Sequence, residues 1–177
     1  LGLFYGDFTP LLKQLSTDDR LLGLASLRYT YSNRGTAVNA QALPRAYTVH
    51  HYIKTDSEER SLREIRANIA TLHKSVILEN ADPSFAVDDQ LDGHDEAVGS
   101  AEVTRYTPNE VDLSVNVTHP ALVVLTDAFY PGWVAYVDGR ETDIFRANSL
   151  FRAVEVPAGA HSVEFRFRPT SFYWGAA

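Results

Sequence analysis

Phe129, Tyr130 and Trp133 crowd a Pro-Gly pair in the stretch 129-FYPGWVAYVDG-139. Tyr130, Trp133, Tyr136, Asp138 and Arg140 are the residue types of a sugar platform. An aromatic face stacks on the apolar face of a pyranose, and nearby charged or amide groups bond its hydroxyls. The same stretch also reads as two turns and a strand. Pro131-Gly132 turns the chain, and Trp133, Ala135 and Val137 share one strand face. Asp138-Gly139 suits a tight hairpin in which both central residues take positive φ. On this second reading Trp133 packs inside with Phe129 beside it, and Tyr130 sits near the surface. Composition does not separate the two, because sheet cores and aromatic platforms are built from the same residues.

Other chemistry is weaker. Asp127 and Asp138 flank the stretch, and glycoside hydrolysis needs two carboxylates roughly 5–10 Å apart in a cleft. With 23 acidic residues, a chance pair is expected. Asp88, Gln90, Asp92 and Gly93 resemble the start of a calcium loop, but its twelfth position is Gly99, where a bidentate Glu is required. The segment reads as a solvated acidic loop. His50 and His51 are adjacent, so on a strand they point to opposite faces and do not share a metal. No nucleophile elbow, P-loop or dinucleotide fingerprint occurs. No metal and no cofactor is expected. Asn116-Val117-Thr118 fits a glycosylation sequon, which matters only in a secreted host context.

The chain has 177 residues, 45% of them hydrophobic. That length suits one domain or one and a half, with roughly 70% of the unfolded surface buried. There is no cysteine, so disulfides, thiol nucleophiles and Cys-based zinc sites are excluded. A net charge of −7 argues against nucleic acid as a partner, since that needs a basic stripe. No run approaches the ~18 apolar residues of a membrane span. The chain starts at Leu1 and has no Met, which suggests a processed product or an excised piece. Its last residues, SFYWGAA, have the look of the edge of a membrane span.

The elements that would position the aromatic stretch fall into two halves. Thr9-Pro10 and Ser16 with Asp19 are helix starts. They precede Leu11, Leu12 and Leu15, and then Leu21, Leu22, Leu24 and Ala25. Leu27 to Ser32 alternates as a strand, and Asn33-Arg34-Gly35 is a turn. Pro44 to Thr55 is extended. Asp56 then caps a helix with Glu59 at its third position and Leu62, Ile65, Ile69 and Leu72 on one face. Lys74 to Glu79 is a short buried strand. Residues 81–100 form the acidic loop. Beyond it the period changes to two: Val111, Leu113, Val115 and Val117 face one way, as do Val163, Phe165 and Phe167. Turn signals, Pro157 and Gly159 among them, recur every ~8–12 residues.

The run from Phe129 to Pro169 resembles the C-terminal extracytoplasmic segment of the bacterial YfhO-family membrane proteins. The resemblance rests on Tyr130 to Trp133, Asp138-Gly139, Arg146 to Asn148, Phe151-Arg152, Val156 to Gly159 and His161 to Phe165, in that order and spacing. Arg20 to Ser32 and Leu43 to Tyr52 match more loosely, and the loop from Asp82 to Ser100 does not match. The resemblance implies a polytopic parent with a glycosyltransferase-C-like membrane core. It also implies a role in adding sugars to surface polymers such as lipoteichoic acid. The catalytic acids of such enzymes lie in an early loop that this chain does not contain, so no catalytic residue is carried over.

The expected fold is α+β: a small helix/strand part over 1–80, with a strand–helix–strand unit at 44–79. The acidic loop 81–100 follows, then a predominantly antiparallel β-sandwich over 101–171, with 172–177 starting a membrane span. The expected role is that of a non-catalytic extracytoplasmic domain in cell-envelope glycosylation. Its partners would be the membrane domain of the same polypeptide and a cell-surface glycan. Candidate glycan contacts are Tyr130, Trp133, Tyr136, Asp138 and Arg152, with Tyr130, Trp133 and Arg152 the choices for the surface. Pro131, Gly132, Asp138, Gly139, Pro157 and Gly159 are architectural. A free-standing carbohydrate-binding module and a purely structural interaction domain are the alternatives, with a glycoside hydrolase third.

Overall fold

The computed structural model describes residues 19–33, 35–85 and 99–169. The expected helix start at Thr9-Pro10, the cap at Ser16, the calcium-like run and the SFYWGAA end lie outside them. The described residues are mostly β, with two short helices. Helix α1 spans Asp19–Leu24. It leads into a two-stranded hairpin of β1 (Tyr29–Ser32) and β2 (Gly35–Val38).

Strands β3 (Ala46–Val49) and β4 (His51–Thr55), helix α2 (Glu58–Asn68) and strand β5 (Ser75–Glu79) follow. β4 and β5 are parallel, with α2 as the crossover, as parallel neighbours require a long connection. The N-cap of α2 is Ser57, one residue later than the expected Asp56; its hydroxyl accepts from the Arg60 amide. Glu59 is therefore the second helical residue, not the third. The apolar face is as the spacing predicts: Ile65 is buried, and Leu62 and Ile69 pack beside it. Leu72 lies beyond the helix end yet is buried in the same cluster.

Eight further strands follow among the described residues: β6 (Gly99–Thr107), β7 (Glu110–Val117), β8 (Ala121–Ala128), β9 (Trp133–Val137), β10 (Arg140–Thr142), β11 (Phe145–Ala147), β12 (Phe151–Val156) and β13 (Gly159–Phe167). They pair only in antiparallel fashion with one another. A five-stranded sheet runs β10-β9-β13-β7-β6, and a six-stranded sheet runs β3-β8-β12-β11-β5-β4. The larger sheet takes strands from both sides of the 86–98 stretch.

Two apolar clusters flank the six-stranded sheet. One joins Leu21 and Leu24 of α1 and Ile65 of α2 to Tyr47, Val76, Leu78, Leu122, Val124 and Phe151. The other joins Val123, Leu125, Val154 and Val156 of the six-stranded sheet to Val111, Leu113, Val115, Val163 and Phe165 of the five-stranded one. Strand β8 supplies both clusters in alternation, which explains its unbroken run of apolar residues. β7 contributes to one side only, and its sequence alternates accordingly.

An Asn-Ser corner ties β11 to its neighbour β5 and to helix α2. Asn148 and Ser149 are buried at φ 48° and 61°. The Asn148 amide donates to the Ile77 carbonyl at 2.8 Å, and its side-chain oxygen accepts from the Ile77 amide at 2.9 Å. The side chain thereby extends the β11–β5 ladder by one step. Ser149 donates to Ser61 of α2 across 2.8 Å, and Arg146 pairs with Glu79 at 3.1 Å.

Candidate functional site: an aromatic corner over a buried arginine

Strand β9 starts at Trp133 because Pro131-Gly132 turns the chain into it. Gly132 takes φ 101°, and its carbonyl accepts from the Arg168 amide at 2.6 Å. That turn brings Tyr130 and Trp133 onto the same ring, Phe167 of β13, at centroid distances of 6.3 and 5.4 Å. Trp133, Ala135 and Val137 pack on the cluster between the sheets, as the alternation predicts. Trp133 is half-buried, whereas Phe129 and Tyr130 remain 37% and 41% exposed.

Arg152 corrects the expectation that it lies at the surface. It is 2% exposed and is among the largest fully buried side chains of the described residues. Its position shares a strand face with Val154 and Val156, which point into the inter-sheet cluster. Its guanidinium carbon lies 3.9 Å from the Trp133 ring centre and 5.2 Å from that of Phe165. Desolvated cation–π contacts of this kind are worth ~2 kcal/mol. Burial holds the guanidinium below the usual arginine range, and the Asp127 carboxylate pulls the other way.

Asp127 is the hub. Its Oδ2 accepts from Arg152 Nη2 at 3.0 Å, and its Oδ1 accepts from Arg45 at 2.8 Å and Tyr106 at 3.2 Å. Arg45 also donates to the Tyr106 hydroxyl at 3.0 Å and lies 4.8 Å over its ring. The β8–β12 ladder slips between Phe151 and Arg152, so Thr126 and Asp127 have no direct partner on β12. This bulge turns Asp127 toward Arg152, as bulges re-aim side chains elsewhere. Arg152 Nε and Nη1 are buried with no hydrogen-bond partner; the flanking Trp133 and Phe165 rings supply a π-face in place of oxygen acceptors.

The other candidates do not converge with Trp133. Tyr136 alternates onto the opposite face of the five-stranded sheet, where its hydroxyl accepts from Arg168 at 3.3 Å. Asp138 sits in the β9–β10 turn, about 16 Å along the strand from Trp133 at ~3.3 Å per residue. Asp138 and Gly139 take φ 51° and 76° there, the two positive values of a tight hairpin. The Asp138 carboxylate accepts from the Ser162 amide at 2.9 Å and contacts His161 Nδ1 at 2.7 Å. The His161 contact, and after it the Ser162 amide, hold the Asp138 carboxyl below its usual range. Reciprocally, Asp138 raises His161 above its ordinary value. Asp127 and Asp138 thus stand at opposite ends of β9, each tied to a cation or an amide, and do not form a hydrolytic pair. Pro157 and Gly159 form the turn between β12 and β13, with Gly159 at φ 125°.

His50 and His51 diverge. His50 is buried against the Pro120 carbonyl at 2.7 Å, and His51 starts β4. Among the described residues, no group of three or more His, Asp or Glu side chains could hold a metal ion. A separate cleft of about 470 Å³ is lined by Arg20, Leu24, Gln41, Leu43, Leu72 and His73. It opens on the helical side of the six-stranded sheet, away from Trp133.

Sequence reasoning missed Tyr106 and Arg45 and considered Asp127 only as a possible acid. A signal existed. Asp127 follows Val123 and Leu125 at two-residue steps, and Arg152 precedes Val154 and Val156 in the same way. Opposite charges in phase with inward positions on two strands mark a buried pair.

Among the described residues, no helix is long and apolar enough to cross a membrane. No curated protein and no solved structure matches the chain. The family model described as bacterial membrane protein YfhO matches residues 38–177. That span includes the aromatic corner, the Asp127–Arg152 pair and the Asn-Ser corner, so the chain belongs to the YfhO family of bacterial membrane proteins.

Proposed function

We propose that the chain is a non-catalytic extracytoplasmic domain of an integral membrane protein that takes part in cell-envelope glycosylation, and that it contacts the acceptor glycan. In this reading the five- and six-stranded sheets form a β-sandwich scaffold beside the membrane domain of the same polypeptide. Sugar transfer belongs to that membrane domain, as a glycosyltransferase-C-like activity drawing on lipid-linked donors. The observation that carries the glycan contact is the exposed Phe129–Tyr130 corner, backed by Phe167 and Trp133. Exposed rings held by a rigid aromatic base bind saccharides at low entropic cost. Trp133 and Arg152 support this corner from beneath. Tyr136 and Asp138 belong to other surfaces and are outside the contact.

The domain's alternative role is purely architectural. It is favoured by the position of Arg152 across one face of Trp133, which closes that face to a sugar. A heteronuclear NMR titration with teichoic-acid and cell-wall saccharides separates the two. Saturable shifts at Tyr130 and the Trp133 indole, lost in Tyr130→Ser, support recognition. No shift at millimolar sugar assigns the corner to architecture.

A further inference from the structure

We propose that the β1–β2 hairpin is a docking surface for an anionic phospholipid bilayer. The hairpin pairs with neither large sheet. Tyr29 stands opposite Val38 in the register, and Tyr31 lies two residues on, so all three share one face. Tyr29, Tyr31 and Val38 are 59%, 86% and 63% exposed, and Leu27 at the base is 45% exposed. Large apolar and aromatic side chains presented together on a projecting element mark an interaction surface. Tyrosine, with an apolar body and a polar tip, is suited to the headgroup level of a bilayer.

Charge identifies the occupant. The chain as a whole carries −7, yet from Arg20 to Thr55 it has no Asp or Glu. The cations of that stretch are Arg20, Arg28, Arg34, Arg45 and Lys54. Arg45 and Lys54 are engaged with Asp127 and Asp82. Arg28 is exposed next to Tyr29. A cationic, tyrosine-bearing hairpin on an acidic protein is complementary to anionic lipid headgroups.

The hairpin is also braced for load. An isolated two-stranded hairpin is marginal in water, and this one is pinned at its base. The Asn39 amide donates to the Arg28 carbonyl at 2.7 Å, and its side chain donates to the Asp19 carbonyl at 2.7 Å. Ser26 bonds the Pro44 carbonyl and the Thr126 hydroxyl, both at 3.0 Å. A Cβ on Gly23 would meet the Gln41 carbonyl oxygen at 2.5 Å, so glycine there lets α1 clasp the returning strand.

The proposal stands on exposure, charge and membership of a membrane-protein family, and is independent of the glycan reading. The test is flotation of the 177-residue chain with phosphatidylcholine vesicles, with and without phosphatidylglycerol. Binding is expected only to the phosphatidylglycerol vesicles and should weaken with salt. The double variant Tyr29→Ser/Tyr31→Ser should lower the partition coefficient about tenfold, and Arg28→Gln about fivefold. Arg140→Gln, an exposed cation in another hairpin, should bind as the parent does. The side chains changed are solvent-exposed, and unchanged circular dichroism checks the fold. Absence of binding overturns the proposal, as does equal binding by the double variant. So does loss of self-association, rather than of lipid binding, in the double variant, which would make the hairpin a contact between copies.

Discussion

Removing Asp127 and removing Arg152 have different consequences, because their remaining partners differ. Asp127 without Arg152 keeps Arg45 and Tyr106, whereas Arg152 without Asp127 is a buried cation held by rings alone. Asp127→Asn should therefore cost about 3–5 kcal/mol of stability in urea denaturation. Arg152→Met fills the same volume with apolar atoms and should cost less, about 1–2 kcal/mol. Arg45→Ala, at the half-exposed end of the network, should cost about 0–1 kcal/mol. The reverse ranking would mean that Arg152 is solvated in solution. The His161–Asp138 contact gives a pH signature. His161 is raised above 6.5, so its contribution is full below that value and fades as pH rises through the folded pKa. Asp138 is lowered below 3.8, so its contribution is present above that value and is lost as pH falls through the folded pKa. The pair should therefore stabilise most from about pH 4 to 6.5. The melting difference between the parent and His161→Asn, followed across pH, should shrink on both sides of that window.

At the scale of elements, the Asn-Ser corner is a joint whose parts can be separated. Asn148→Gly keeps the left-handed backbone but orphans the Ile77 amide, at about 1–3 kcal/mol. Asn148→Ala orphans the same amide but retains the Cβ at positive φ that glycine removes, so it should cost about 1–2 kcal/mol more than the glycine variant. Denaturation of both variants checks the order. The same corner shows how far the elements were legible. Strands such as β7 and β13 announce themselves by alternation, because each buries one face. Helix α2 announces itself by its apolar stripe, with its cap displaced by one because Asp56 and Ser57 are both good capping residues. Asn148 could not be read this way. Its value lies in a partner 71 residues earlier, and nothing local in Arg-Ala-Asn-Ser names Ile77. The inward charges on β8 and β12 were in phase with their apolar neighbours, so the pair was legible. Charge suggested surface, and periodicity pointed inward.

At the scale of the molecule, the six-stranded sheet takes β3, β4 and β5 from before the 86–98 stretch and β8, β11 and β12 from after it. Differential scanning calorimetry should therefore show one cooperative transition. A chain cut to 99–177 should not melt cooperatively, because β8 and β12 would lose the helical layer over their second face. Sheet order also sets a timetable. Residues leaving a ribosome or a translocation channel emerge N-terminus first, so β4, α2 and β5 arrive as a nearly complete unit with the flank of β5 unpaired. The strand that covers it, β11, is made about 70 residues later. Until then an apolar edge waits in the open, and pairings of such long reach form slowly. The newborn chain therefore passes through a vulnerable interval in which a holding chaperone has something to hold, and that interval ends when Asn148 reaches Ile77.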